Sequence, residues 1–260
     1  MNNTGIDLHK PGEDAAIIVS EATGLAADEG RYQEALTLFD KVPETGFSRP
    51  EVLIKRALTL DRIGLFSEAI RCCEKAICRA PLFSDAWFAR GFTRYYLFRA
   101  SLAIDCLDMA LSLDPAHTEA RFIRGNCTYK AHDPANAVAV YEKALILSPT
   151  YPKALYNRGV CLADMERFEE SLASYNACIR INPGVSVVHA NRGVTLDSLE
   201  RYQEALEAFE EALRLDPYDI TALNNSCLLL SRLRRDNEAI EYHARFRRLM
   251  DLKDFDRRVW

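Results

Sequence analysis

"NRGVCLADMERFEESLASYNACIRINP" (Asn157–Pro183) is followed by "NRGVTLDSLERYQEALEAFEEALRLDP" (Asn191–Pro217), offset by 34 residues. Both stretches open on the same tetrapeptide, close on proline and keep small, bulky and acidic residues in step between. A chain that repeats itself at such an interval builds one supersecondary unit many times over, so the period, more than any single motif, decides the fold.

Outward from this pair, Pro81, Pro115, Pro149, Pro183 and Pro217 lie 34 residues apart. "RYQEAL" stands at Arg31–Leu36 and again at Arg201–Leu206, five periods later. With the proline at position 32, the repeats are 16–49, 50–83, 84–117, 118–151, 152–185, 186–219 and 220–253. Residues 1–15 read as a flexible N-terminal segment and residues 254–260 as a C-terminal capping tail. Position 8 carries Gly91, Gly125, Gly159 and Gly193, with Ala57 in the second block, and position 20 carries Ala35, Ala69, Ala103, Ala137, Ser171, Ala205 and Ala239. Small residues at two fixed points let two helices approach closely. Position 24 fills the space between them, with Phe39, Cys73, Leu107, Tyr141, Tyr175, Phe209 and His243.

Each block is therefore predicted to form helix A over positions 1–14, a short turn, helix B over positions 18–31, and a stop. The proline ring and its missing N–H prevent continuation. Glutamate at position 19 in five blocks (Glu34, Glu68, Glu170, Glu204 and Glu238) suits the positive end of helix B. The carboxylate pairs Glu169/Glu170 and Glu210/Glu211 belong to this helical pattern and are not read as catalytic.

The pattern resembles the tetratricopeptide repeat family, whose Trp, Gly, Ala and Pro positions are matched by Trp87, Gly91, Ala103 and Pro115. The likeness runs over about 240 residues. It weakens at the ends, where Pro43 falls inside the expected helix B of the first block and Cys227 and Asp251 occupy the Gly and Pro positions of the last. The resemblance implies an all-α fold, a right-handed α-solenoid of stacked antiparallel helix pairs, with helix A lining the concave side. It also implies a non-catalytic module that holds a partner in that groove.

At about 100° per residue, positions 4, 7, 8 and 11 of helix A face helix B, and positions 2, 5, 9, 12 and 13 face the groove. Position 7 carries an arginine ladder: Arg56, Arg90, Arg124, Arg158 and Arg192. Its place at the edge of the packed arc predicts that the stems pack and the guanidinium groups pair with acids or carbonyls of neighbouring helices. The groove arc gathers Phe88, Phe92, Tyr95, Tyr96, Phe122, Asn126, Tyr129 and Tyr156. An exposed ring-rich patch of that size marks an interaction site. Asn157, Asn191 and Asn225 recur at position 6, on the groove's shoulder. An amide both donates to and accepts from a peptide backbone, so Asn157 and Asn191 join the candidate groove. Bonds between neighbouring repeats are the other use for them. In family members that hold chaperone C-termini, a carboxylate clamp combines asparagines with cations. The corresponding residues here are Phe122, Asn126, Asn157, Val187 and Asn191, without a cation, and the clamp is excluded.

Composition narrows the partners. With 48% apolar and 27% charged residues the chain reads as folded and soluble. A net charge of −5 argues against sequence-independent nucleic-acid binding. No apolar run approaches the roughly 18 residues of a membrane span, and residues 1–13 lack a signal-peptide core, so a cytoplasmic protein is expected. The eight cysteines show no C-x2-C pair and are expected to be buried and reduced, with no metal and no cofactor. The five histidines share no groove face, and neither a nucleophile pattern nor a phosphate loop accompanies them, so no catalytic residue is assigned. The expected partner is a protein or peptide segment with apolar anchors. Phe246, Leu249, Leu252, Phe255 and Val259 recur at helical intervals past the last repeat and read as a cap; the alternative is a self-associating scaffold, a homo-oligomer in which Phe255 and Trp260 of this tail enter the aromatic groove of a second copy.

Overall fold

The residue before each comb proline cannot stay helical, because the proline ring crowds its backbone into extended conformations. Ala80, Asp114, Ser148, Asn182 and Asp216 accordingly end their helices at φ values of −139°, −132°, −137°, −138° and −136°. The chain is described by a computed structural model that covers residues 11–27, 31–42 and 49–259. It divides into two compact units, Met1–Ala131 and His132–Trp260. The described residues are helical throughout, without a strand.

The first unit holds α1 (Pro11–Ala27), α2 (Tyr32–Phe39), α3 (Pro50–Arg62), α4 (Phe66–Arg79), α5 (Ser84–Tyr96), α6 (Ala100–Leu113) and α7 (Thr118–Lys130). The second holds α8 (Pro134–Leu147), α9 (Pro152–Asp164), α10 (Phe168–Ile181), α11 (Ser186–Ser198), α12 (Tyr202–Leu215), α13 (Ile220–Arg232) and α14 (Asp236–Val259). Odd-numbered helices are the A helices and even-numbered ones the B helices. Helices pair along the chain, α3 with α4, α5 with α6, α9 with α10 and α11 with α12, which is the α-solenoid arrangement expected from the period. In repeats two to six the A helices start where the sequence predicts and stop one residue early, and the B helices start and stop one residue early; α1 begins at Pro11, inside the segment read as flexible, and α14 runs on to Val259. In the first block α2 has only 8 residues and stops ahead of Pro43, where full B helices have 14.

The A–B turn uses a device the sequence hides. Gly64, Phe98, His132, Glu166, Glu200 and Arg234, at position 15 of six successive repeats, all adopt positive φ between 57° and 79°. Only one of the six is glycine, so five repeats carry left-handed strain in a bulky or charged residue.

Close approach explains the small residues. A Cβ on Gly159 would lie 2.6 Å from a ring carbon of Tyr175, and one on Gly193 would lie 2.5 Å from Phe209. In the third repeat Gly91 meets Leu107 in the same way. The second repeat makes the opposite choice, setting Ala57 with the smaller Cys73, both fully buried.

The arginine ladder ties each repeat to its predecessor. Arg56 binds Asp40 at 2.7 Å, Arg124 binds Asp108, Arg158 binds Glu142 at 3.0 Å, and Arg192 donates to Asn176 Oδ1 at 2.8 Å. Each link joins position 7 of one helix A to position 25 of the preceding helix B. The expected pairing of the ladder is therefore what the fold shows. Arg90 departs from it, donating to Cys106 Sγ and lying over the Trp87 ring. The comb prolines contribute as well: Trp87 Nε1 donates to Pro81 O at 2.8 Å, Arg121 to Pro115 O, and His189 Nε2 lies 2.9 Å from Pro183 O.

At the C-terminal end, Tyr242, Phe246 and Leu249 pack on the core of the last repeats, as a cap should. Leu252 and Val259 have side chains outside the described residues, as do Phe255 and Trp260, on which the tail-mediated homo-oligomer rests. Among the described residues no helix is long and apolar enough to cross a membrane.

Candidate functional site

Within each unit the A helices touch one another, α3 with α5 and α5 with α7 in the first, α9 with α11 and α11 with α13 in the second. Side chains on the free arc of successive A helices thereby form one continuous surface in each unit. These two faces are the candidate binding surfaces.

In the first unit the face is aromatic. Phe88 and Phe92 rings lie 5.8 Å apart, Phe92 and Tyr96 4.8 Å, and Tyr95 and Tyr96 5.5 Å, spacings that follow from residues four, four and one apart on α5. The expectation of an open ring-lined hollow needs correction at three residues. Phe88, Phe122 and Asn126 are only 7%, 8% and 9% exposed. Phe88 packs on Phe92 and on His117, whose ring centroid is 4.6 Å away, because adjacent A helices rest on each other through their inner residues. Phe92, Tyr95 and Tyr129 are half-buried and Tyr96 is exposed. Lys130 lies over the Tyr95 ring at 4.1 Å.

Asp61, on the groove arc of α3, carries no signal in the repeat pattern that would single it out. It is buried, accepts a hydrogen bond from Thr93 Oγ1 at 2.8 Å, and its Oδ1 has no partner. The single hydroxyl hydrogen of Thr93 also reaches Ala89 O at 3.0 Å. A protonated Asp61 resolves the conflict, donating to Thr93 while Thr93 donates to Ala89. Burial raises the Asp61 pKa to about 7 against the lowering effects of the Thr93 bond and Arg62.

The second unit differs. Tyr156 is half-buried and its hydroxyl accepts a hydrogen bond from Asn191 Nδ2 at 2.8 Å. Asn225 Nδ2 donates to Thr221 O in its own helix, and Asn157 is engaged as well. Asn191 thus makes the bond between neighbouring repeats that the sequence leaves open, while Asn225 bonds within its own helix. The open part of this face is aliphatic: half-buried Val160 with exposed Val194 and Leu228, all at position 9, and exposed Val187 beside them. Aliphatic residues at one groove position in three successive repeats are a signal visible in the sequence, weaker than that of the rings because isolated Val and Leu are common on any helix surface.

Five of the eight cysteines (Cys73, Cys106, Cys127, Cys161 and Cys178) are buried, and all eight are free thiols. Burial pushes the thiol of Cys127 up to about 11 and that of Cys161 to about 12, which leaves them protonated and inert as nucleophiles. Among the described residues no group of three His, Cys, Asp or Glu side chains could hold a metal ion.

Family models described as "Tetratricopeptide repeat" match residues 152–185 and 186–219, and a further one matches residues 94–152. No curated protein matches the sequence. Among solved structures, YrrB, described as a TPR protein with an unusual peptide-binding site, is 23% identical, covering 72% of this chain and 96% of its own, with a TM-score of 0.60. The structure of pilF from Pseudomonas aeruginosa is 18% identical, covering 80% and 97%, with a TM-score of 0.69. MamA from Desulfovibrio magneticus RS-1 is 20% identical, covering 66% and 97%, with a TM-score of 0.63. Matched repeats in the middle, and the same hairpin geometry on either side of them, make this chain a member of the tetratricopeptide repeat family.

Proposed function

We propose that the chain is a non-catalytic protein-interaction scaffold that holds a peptide or extended partner segment against its A-helix faces. The observation that carries this reading is the set Phe92, Tyr95, Tyr96 and Tyr129, rings left half-buried or exposed on the arc that packing against helix B does not cover. Rings in that state offer apolar pockets without the cost of unfolding anything, and side-chain pockets are what short segments use for anchorage. YrrB, described as having a peptide-binding site, provides a precedent for such use of the fold. Phe88 supports the Phe92 ring from below in the first unit, and in the second Asn191 holds the Tyr156 hydroxyl.

The test replaces Tyr96 and Tyr129 by alanine together and compares capture of partners from a cell lysate with that of the unchanged chain. Both residues are outside the buried core, so circular dichroism should be unaltered. Loss of the captured species supports the reading. Capture that persists at full strength removes it.

A further inference from the structure

Three features together set the turn of the third repeat apart. Its left-handed residue is Phe98, 82% exposed, where the other turns use glycine, histidine, glutamate or arginine. Its φ of 57° is shared by the other turns, so what sets this turn apart is the large apolar ring it leaves mostly in water.

The second feature concerns charge. In four repeats the arginine at position 16 is neutralised by the glutamate three residues on: Arg31 with Glu34, Arg167 with Glu170, Arg201 with Glu204, and Arg235 with Glu238, at 2.6–3.0 Å. The third repeat keeps the arginine as Arg99 but places Leu102 where the glutamate should be, and the first turn of α6 has no acid. Arg99 is therefore exposed without its bridge, between exposed Phe98 and half-exposed Leu102. Arg94 bonds Leu102 O at 3.2 Å, fixing the start of α6 in this arrangement.

Third, a second cation is held at the same edge. Lys130 Nζ lies 4.8 Å from the Phe98 ring centroid as well as 4.1 Å from that of Tyr95. Rings and ammonium group are thus already assembled. Arg62, also exposed, ends helix A of the preceding repeat on the same side, while Asp61 next to it is buried. A chain of net charge −5 presents here a local surplus of Arg62, Arg99 and Lys130 around apolar side chains.

We infer that this turn, built from Phe98, Arg99, Leu102 and Lys130, is a second docking surface, at the edge of the groove face, for an acidic protein segment carrying an aromatic or aliphatic anchor. The anchor packs on Phe98 and Leu102, and its flanking carboxylates pair with Arg99 and Lys130. The inference does not rest on the groove reading, because Phe98, Arg99 and Leu102 lie beyond the end of α5 and only Lys130, over Tyr95, borders the groove face.

The experiment uses the full chain and a fluorescent synthetic peptide of Glu and Asp with a central Phe. Its controls are the same peptide with Lys in place of the acids, the same peptide with Gly in place of Phe, vesicles containing anionic lipid, and single-stranded oligo-dT. Leu102→Glu restores the bridge of the other repeats and neutralises Arg99, and Phe98→Gly places the least strained residue in the turn. Neither change disturbs the core. Binding of the acidic peptide, weakened about tenfold or more by each variant and absent for the lysine control, supports the inference. Binding that survives Leu102→Glu, or no preference for the acidic peptide over its controls, overturns it. So does binding to vesicles or oligo-dT that responds to Leu102→Glu while the acidic peptide does not bind. Phe92→Ala with Tyr129→Ala, which alters the groove alone, should leave this binding intact.

Discussion

The two units share one hairpin and present different chemistry on it. In the first, the free arc of the A helices carries Phe92, Tyr95, Tyr96 and Tyr129, while in the second it carries Val160, Val194 and Leu228, with the one ring, Tyr156, bonded to Asn191. Inward positions vary from repeat to repeat instead: Tyr175 and Phe209 sit against glycine in the second unit, while the first unit fills the same position with Phe39 in its first repeat and with only Cys73, against alanine, in its second. Close packing between helices A and B accepts a small residue with a large filler or two small ones, so the repeats differ. Where no neighbouring helix constrains a side chain, the difference becomes a difference in what can bind.

The strongest way to break the comparison is through the fillers. Phe209→Ala should cost about 3–5 kcal/mol, and Cys73→Ala about 1 kcal/mol, measured as shifts in urea unfolding of the full chain. Equal effects would show that the two repeats are not filled as described. Gly193→Ala should destabilise by about 1–3 kcal/mol alone and by clearly less in a Phe209→Cys background, which imitates the second repeat.

Asp61 offers a contrast in pH response. Its folded pKa of about 7 lies above the ordinary 3.8, so the folded state holds the proton through a range in which the unfolded chain has lost it. The stabilising contribution is complete below about pH 4, falls as pH rises toward 7, and is gone above that, a change on the order of a few kcal/mol. The exposed acids Glu34, Glu170, Glu204, Glu211 and Glu238, all lowered by arginine partners, act in the opposite sense and only below the usual carboxylate range. Asp61→Asn should flatten the stability profile between about pH 4 and 7, read from urea midpoints across that range. A profile that keeps its slope would show that Asp61 is ionised when folded.

Binding comes next in size. Tyr96→Ala with Tyr129→Ala should weaken a groove ligand by about 2 kcal/mol, whereas Val194→Asp with Leu228→Asp should matter only if the ligand extends over the second unit. Isothermal titration with a partner recovered by capture separates these outcomes. The smallest effect belongs to the turns: Glu200→Gly should stabilise by about 0.5–1 kcal/mol by relieving a φ of 59°. A loss of stability there would mean that the lost helix-flanking charge outweighs the strain.

Much of the architecture is legible in the residues alone. The 34-residue comb, the glycine and alanine positions and the pairing of the arginine ladder follow from rules that act between residues close in sequence or fixed in register. Other features are not legible there. Position 15, left-handed in the six described turns, carries glycine only as Gly30 and Gly64 among seven repeats, too few to mark the turn in the sequence. The burial of Phe88, Phe122 and Asn126, the bond from Asn191 to Tyr156, and the enclosure of Asp61 beside Thr93 all depend on how one A helix rests on the next.

By itself the sequence determined that the chain is a series of helix pairs and, in the middle repeats, where the B helices stop, because steric exclusion at proline and close contact at glycine act locally and recur with the period. Only the tertiary structure decided which groove-facing side chains stay open to water. Exposure is a property of the space between repeats, set by the packing of residues about one period apart, and a helical wheel drawn for a single repeat contains no such neighbour.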